Sequence, residues 1–147
     1  MTRGRLGPAI SVGAAIGLAI ALYLLYTRLT GGIPACGGSS GCETVALSEY
    51  ATFLGLPVAL YGTGYSALVL GLAVGWWRSG DRRALLAAYG LGFAGLLAVG
   101  YLTYLEIFVI EAICLWCVAY AASVVATFGL AAAAVIRTSE PRTIGQR

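Results

Sequence analysis

Four cysteines in two pairs are the residues of this chain best suited to chemistry. Cys114-Leu-Trp-Cys117 is a C-x-x-C motif, and at i and i+3 of a helix its sulfurs share one face, close enough for a strained, readily reduced disulfide. Near a helix start, unpaired N–H groups and the helix dipole favour negative charge, so such thiols ionise early. Thiolate is the form that attacks disulfides, and a low-pKa thiol also leaves well. Cys36 and Cys42 enclose Gly37-Gly38-Ser39-Ser40-Gly41, whose three glycines allow the turn that brings two cysteine Cα atoms to about 5.5–6 Å. Four cysteines permit three connectivities, and a dithiol–disulfide relay would use more than one of them.

Competing chemistries fit less well. Permanent disulfides would staple a loop that a helical membrane bundle does not need stapled. A structural zinc site favours C-x₂₋₄-C spacings and often histidine. Here the first spacer has five residues and the chain has no histidine. That same lack excludes Ser-His-Asp and Cys-His nucleophile systems. No phosphate-binding glycine motif is present. Protons released in a redox step must therefore use water, tyrosine or a carboxylate such as Glu106 or Glu111.

The elements that position these sulfurs are written in the composition. Of 147 residues, 60% are hydrophobic and 10% charged, too few polar groups to cover a soluble domain. Four uncharged apolar runs, at about 6–26, 57–77, 84–105 and 112–136, each supply the roughly 20 residues a helix needs to cross a bilayer. In lipid the backbone must satisfy itself, and alternating polarity is absent, so the runs read as helices and not as a barrel. The expected fold is an all-α membrane protein: a four-transmembrane-helix bundle over 1–137, a short loop helix capping its extracytoplasmic end, and a disordered cytoplasmic tail at 138–147. A cleavable signal peptide is the minor alternative for the first run, but that run is longer than a usual apolar signal core. The abundant glycines within the runs serve close helix packing.

All nine basic residues are arginines, and eight of them (Arg3, Arg5, Arg78, Arg82, Arg83, Arg137, Arg142, Arg147) fall on one expected side; Arg28 is the exception. The positive-inside rule makes that side cytoplasmic, with both termini. The net charge of +3 thus reports topology and contact with anionic lipid, and no nucleic-acid partner is implied. The 30–53 loop and the 106–111 connection then lie outside, beside all four cysteines, on the oxidising side of a plasma or inner membrane. Within 31–57 the first half is Gly/Ser-rich and reads as irregular. Ser48 is placed to cap a short helix with Glu49 in its first turn, stopped by Gly55 and Pro57. Tyr50, Phe53 and Leu54 share one face of that segment and would rest on the membrane surface as a lid.

The order of these features resembles the prokaryotic vitamin K epoxide reductase homologues. They share C-x₅-C in the first outer loop, then Cys42-Glu-Thr-Val-Ala-Leu-Ser48 and Tyr-Ala-Thr-Phe-Leu-Gly-Leu-Pro57, then C-x-x-C at the outer start of the fourth helix. The bacterial disulfide-generating protein DsbB has the opposite order, with its C-x-x-C in the first outer loop. The resemblance implies a stand-alone quinone-dependent thiol oxidoreductase. Cys114 and Cys117 would be the active-site pair, with Cys117 facing the quinone, and Cys36 and Cys42 the shuttle pair. A separate extracytoplasmic thioredoxin-like (DsbA-like) partner would deliver electrons, first to Cys36; Cys42 would then attack Cys114. Ubiquinone or menaquinone would accept the electrons in a pocket of Ser48, Phe53, Leu56, Ile113, Trp116 and Cys117. The chain departs from the vertebrate pattern at Val58-Ala59-Leu60, where an asparagine is missing. Tyr120 stands one position from the family's tyrosine. Quinone reduction, not epoxide reduction, is therefore the expected activity. The alternatives are a non-catalytic module with static or metal-bound cysteines and a small four-helix transporter, although the apolar runs lack the intramembrane charge a transporter uses.

Overall fold

The computed structural model describes residues 2–139. Helix α1 (Thr2–Leu29) leads into an irregular crossing segment, a short helix α2 (Gly41–Leu47) and one 3₁₀ turn (Glu49–Ala51). Two-residue strands β1 (Thr52–Phe53) and β2 (Leu56–Pro57) then form a minimal antiparallel hairpin before α3 (Val58–Ser79), α4 (Arg82–Phe108) and α5 (Leu115–Ser139). Helices α1, α3, α4 and α5 are each long and apolar enough to cross a membrane, the four-helix architecture expected from the sequence. Thr138 and Ser139 continue α5, while the rest of the expected tail lies outside the described residues.

The four long helices form a ring in which α1 and α4 each pack against both α3 and α5. Local chemistry sets the tightest reversal. Gly80 ends α3 in the left-handed conformation at φ 73°, its N–H bonded to the Trp76 carbonyl. Asp81 then caps α4 by accepting the Arg83 N–H at 2.9 Å. Gly followed by a capping acid stops one helix and starts the next within two residues. The bundle's dry core lies at this arginine-bearing end, where Ile10, Ala73, Trp76, Leu85, Ala131 and Ala134 pack together. Large apolar side chains such as Ile16, Leu22, Phe93, Leu97 and Val125 point outward. That arrangement suits lipid as solvent and would be unusual in water.

At the opposite, cysteine-bearing end the covering segment differs from expectation. The short helix starts at Gly41 and ends at Ser48, whose hydroxyl donates back to the Val45 carbonyl at 2.7 Å. Ser48 therefore closes α2 and also heads the 3₁₀ turn Glu49–Ala51, but its hydroxyl is spent on α2 and does not cap that turn. Ser40 precedes the first turn of α2 without a side-chain cap bond, and Glu43 occupies that favourable first turn. Beyond the 3₁₀ turn, Leu54 and Gly55 have φ of 52° and 81°, the left-handed pair that reverses a two-residue hairpin. Leu54 tolerates that conformation at a tip where it is 83% exposed. The expected helical face of Tyr50, Phe53 and Leu54 is thus a turn followed by a hairpin.

Glycine in α4 decides how closely α5 approaches. A methyl at Gly92 would lie 2.9 Å from the Phe128 ring, whereas one at Gly90 would meet open space. Gly92→Ala is expected to destabilise the bundle by about 1–3 kcal/mol through overpacking. Gly90→Ala should be neutral or slightly stabilising through helix propensity. Thermal unfolding of the two variants in one detergent checks the contrast.

Candidate functional site

All four cysteines gather at one end of the bundle. Cys36 and Cys42 are disulfide-bonded, with Cα atoms 6.1 Å apart, and Cys114 and Cys117 are free thiols. Cys42, in the first turn of α2, is 1% exposed, while Cys36 in the crossing segment remains partly accessible. The approach of the two pairs is set by Gly41. A Cβ built there would collide with the carbonyl oxygen of Ile113, the residue before Cys114. Only glycine lets the start of α2 rest on that backbone.

Two hydrogen bonds seat the crossing segment. Trp116, inside the C-x-x-C motif, donates its indole Nε1–H to the Ala35 carbonyl at 2.8 Å. Ala35 in turn donates its N–H to the Tyr23 hydroxyl at 3.0 Å, and the Tyr23 and Trp116 rings are 4.7 Å apart. The residue beside Cys36 is thereby clamped to the motif carrying the second cysteine pair. Farther along, Arg28 donates to the Ala46 carbonyl at 2.9 Å, near the end of α2 where a cation complements the helix dipole. The one arginine at the cysteine end thus has a structural task. Tyr23 was not singled out by sequence reasoning; its only signal was an aromatic ring near the end of an apolar run.

Cys114 immediately precedes α5, and its sulfur accepts the Cys117 N–H at 3.4 Å. Its carbonyl receives the first helical bond, from Val118 N at 3.0 Å. Cys114 therefore occupies the capping position usually held by Ser or Asp. The Cys117 thiol, followed by the N–H groups of Cys117 and Trp116, favours its thiolate over the opposing effects of burial and the nearby Glu106. The Cys114 thiol is thereby lowered to about 7 from 9.0. Cys117, one turn along, faces inward. Glu106 was expected in the connection after the third span. Instead α4 continues to Phe108 and carries that carboxyl into the bundle, 5% exposed, where Oε2 accepts the Cys114 N–H at 3.3 Å. Glu111, by contrast, sits at a turn with φ 54°.

Beneath α2 lies a cavity of about 570 Å³, lined by Cys42, Ser48, Cys114 and Cys117 and extending between α3 and α4. The space exists because its walls are small there: Ala59 and Gly62 on α3, Ala94, Gly95 and Ala98 on α4. Val58 and Ala59 leave that wall apolar at the position of the missing asparagine. Tyr120 lines the cavity too, and its hydroxyl donates to the Gly62 carbonyl at 3.1 Å and lies 3.2 Å from the Ser66 hydroxyl. Volume and lining suit a small, largely apolar molecule. Of the residues expected around a quinone, Ser48 and Cys117 are in this wall. Phe53, Leu56, Ile113 and Trp116 are not. Phe53 and Leu56 belong to the exposed hairpin and Ile113 points away from the bundle. The Trp116 indole is turned toward Ala35.

The model of the vitamin K epoxide reductase family matches residues 8–132, most of the chain and all four cysteines.

Two outcomes follow from this geometry. With its pKa lowered, Cys114 is mainly thiolate above about pH 7, so its alkylation by a small reagent should rise through that pH and not through 9.0. Cys117→Ala removes the largest cause and should return the midpoint upward, as read by a pH series of mass-resolved alkylation. Gly41→Ala sets a methyl against the Ile113 carbonyl and should cost about 1–3 kcal/mol of packing. It should also slow disulfide exchange between the two pairs, measured by acid-quenched trapping of the redox forms.

Proposed function

Because the chain belongs to the vitamin K epoxide reductase family and is a membrane thiol oxidoreductase, we propose that it couples disulfide formation in a separate extracytoplasmic thioredoxin-like protein to quinone reduction. The observation that carries this reading is the shared wall: Cys42, Cys114 and Cys117 line one cavity large enough for a quinone head group. Family members act on quinones and generally work with a thioredoxin-like partner. Ubiquinone and menaquinone both suit an apolar cavity of this kind.

Cys36 is the accessible sulfur of the loop disulfide and Cys42 the buried one. A partner thiolate attacks Cys36, and the Cys36–Cys42 bond breaks, with Cys42 leaving. A second partner thiol displaces Cys36, so the partner is oxidised and the loop pair reduced by two electrons. Cys42 then attacks Cys114 of an oxidised Cys114/Cys117 pair and Cys36 resolves the mixed disulfide, regenerating the loop disulfide and leaving the dithiol. Quinone, when bound, would supply the oxidising power, taking two electrons from that dithiol together with two protons, one of them by way of solvent. Ser48 and Tyr120 place hydroxyls on this wall, each donating to a backbone carbonyl (Val45 and Gly62), and either would have to exchange that bond to orient a quinone carbonyl. The arginine distribution supports cytoplasmic termini and a redox end on the periplasmic or extracellular side.

The test uses protein in lipid nanodiscs with a reduced thioredoxin-like substrate and ubiquinone or menaquinone, following quinol formation. Cys117→Ala should lose more than about 10³-fold of the rate, as expected for a reacting nucleophile. Cys42→Ala should lose partner oxidation yet retain quinone reduction by a small membrane-permeant dithiol. Undiminished turnover by Cys117→Ala would overturn the assignment. Impermeant maleimide added to intact cells after reduction should label Cys36 from outside, and labelling only after lysis would reverse the orientation.

A further inference from the structure

Glu106 has no part in the electron path above, yet it is the one acidic or basic side chain among the described residues that is buried. Its carboxyl accepts the Cys114 N–H at the start of the C-x-x-C motif and lines the same cavity as the Cys117 thiol. Accepting one backbone N–H does not require an acid, since glutamine offers the same carbonyl without the penalty of burying a charge. The reaction supplies a reason for the acid. Oxidising the Cys114/Cys117 dithiol releases two protons, and Cys117 points into the bundle. The arginine end is closed by the packing of Ile10, Trp76, Leu85, Ala131 and Ala134, so no polar route leaves that way. Tyr120 is engaged with Gly62 and Ser66, and a phenol with an ordinary pKa of about 10 is a poor acceptor near neutrality.

We propose that Glu106 is the catalytic base for Cys117, taking its thiol proton as the Cys114–Cys117 disulfide closes and delivering that proton to the quinone oxygen that becomes a quinol hydroxyl. The delivery half rests on the quinone reading above; the base half does not. In the closing step the Cys117 S–H bond breaks, an O–H bond forms on Glu106, and the sulfur–sulfur bond forms as two electrons leave for the acceptor. Glu106 returns to carboxylate when the first quinol O–H forms. The second quinol proton comes from water at the cavity mouth, replacing the one Cys114 has given up to solvent. The other titratable or charged groups facing this cavity are Cys114 and Tyr120 from the α5 side, Tyr61 and Tyr65 from α3, Cys42 (when reduced) from α2, Tyr50 from the covering turn and Arg28 from α1.

The experiment has one readout without quinone. Fully reduced protein is treated with diamide, which adds to the more reactive Cys114 thiolate, and closure by Cys117 is followed by quench and peptide mass analysis. Glu106→Gln should slow closure by about 10²-fold at pH 7, with Glu106→Asp recovering part of the rate. The glutamine variant should also lose the plateau of the wild-type pH profile and become dependent on hydroxide across the range. A merely structural role would lower the rate equally at every pH, and that result overturns the proposal, as does unchanged closure. Quinol formation is then measured on the same proteins. Wild-type closure that depends on Glu106 without any quinone reduction would remove the quinone reading and the delivery step while leaving the base in place. Quinone reduction equal in wild type and Glu106→Gln would remove the base and leave the quinone reading. If Glu106→Gln does not fold, the solvent deuterium isotope effect on wild-type closure decides: a normal effect is expected, and its absence overturns the proposal.

Discussion

The contact between the start of α2 and the carbonyl of Ile113 governs this molecule. Irregular backbone at the edge of a membrane is tolerated only where its polar groups find partners. The 30–40 segment finds them through Ala35, held on one side by Trp116 and on the other by Tyr23. With the segment seated, glycine at position 41 removes the last steric barrier, and Cys42 is buried on the same cavity wall as Cys114. Unseat it, and two reactive pairs remain with no route between them. Two of the clamping side chains project from transmembrane helices, so bundle formation and loop placement are one event.

The bundle divides its interior unequally. At the arginine end Trp76, Leu85 and Ile10 fill the space between helices. At the cysteine end the facing positions are alanine and glycine, and a cavity takes the place of a core. Unfilled apolar volume forfeits dispersion contacts and costs stability. The packed half offsets that cost and also seals the redox end from the other face of the membrane. Cavity and seal are complementary consequences of where bulky residues were placed along the same four helices.

Much of this could be read from the sequence, and the physical reason is the solvent. Lipid demands long uncharged helices, so four spans stand out with little ambiguity, and the family pattern rests on the order of its cysteines. What escaped was set by tertiary contact. Trp116 looks like any apolar residue near a helix end until Ala35 is brought to its indole. Glu106 reads as a loop acid because the apolar run ends at 105; only the fold shows that the helix continues and turns that side chain inward. The start of α2 was missed because it follows the glycine-rich stretch directly and Ser40 makes no side-chain cap to mark it.

The distribution of oxidation in the protein has a direction built into it. A pair whose reduced form is stabilised is the stronger oxidant of the two in exchange. Cys114, capping α5 and bonded by the Cys117 N–H, is stabilised as thiolate near neutral pH. That stabilisation exists only while the Cys114/Cys117 pair is reduced, and it vanishes when the disulfide forms. In the proposed relay, exchange between the pairs is therefore biased toward a loop disulfide and a helix-end dithiol. The same bias makes the dithiol harder to reoxidise, so the final acceptor must be more oxidising than anything the loop provides. Capping geometry at one helix start thus sets both the direction of sulfur exchange and the need for a strong acceptor in the adjoining cavity.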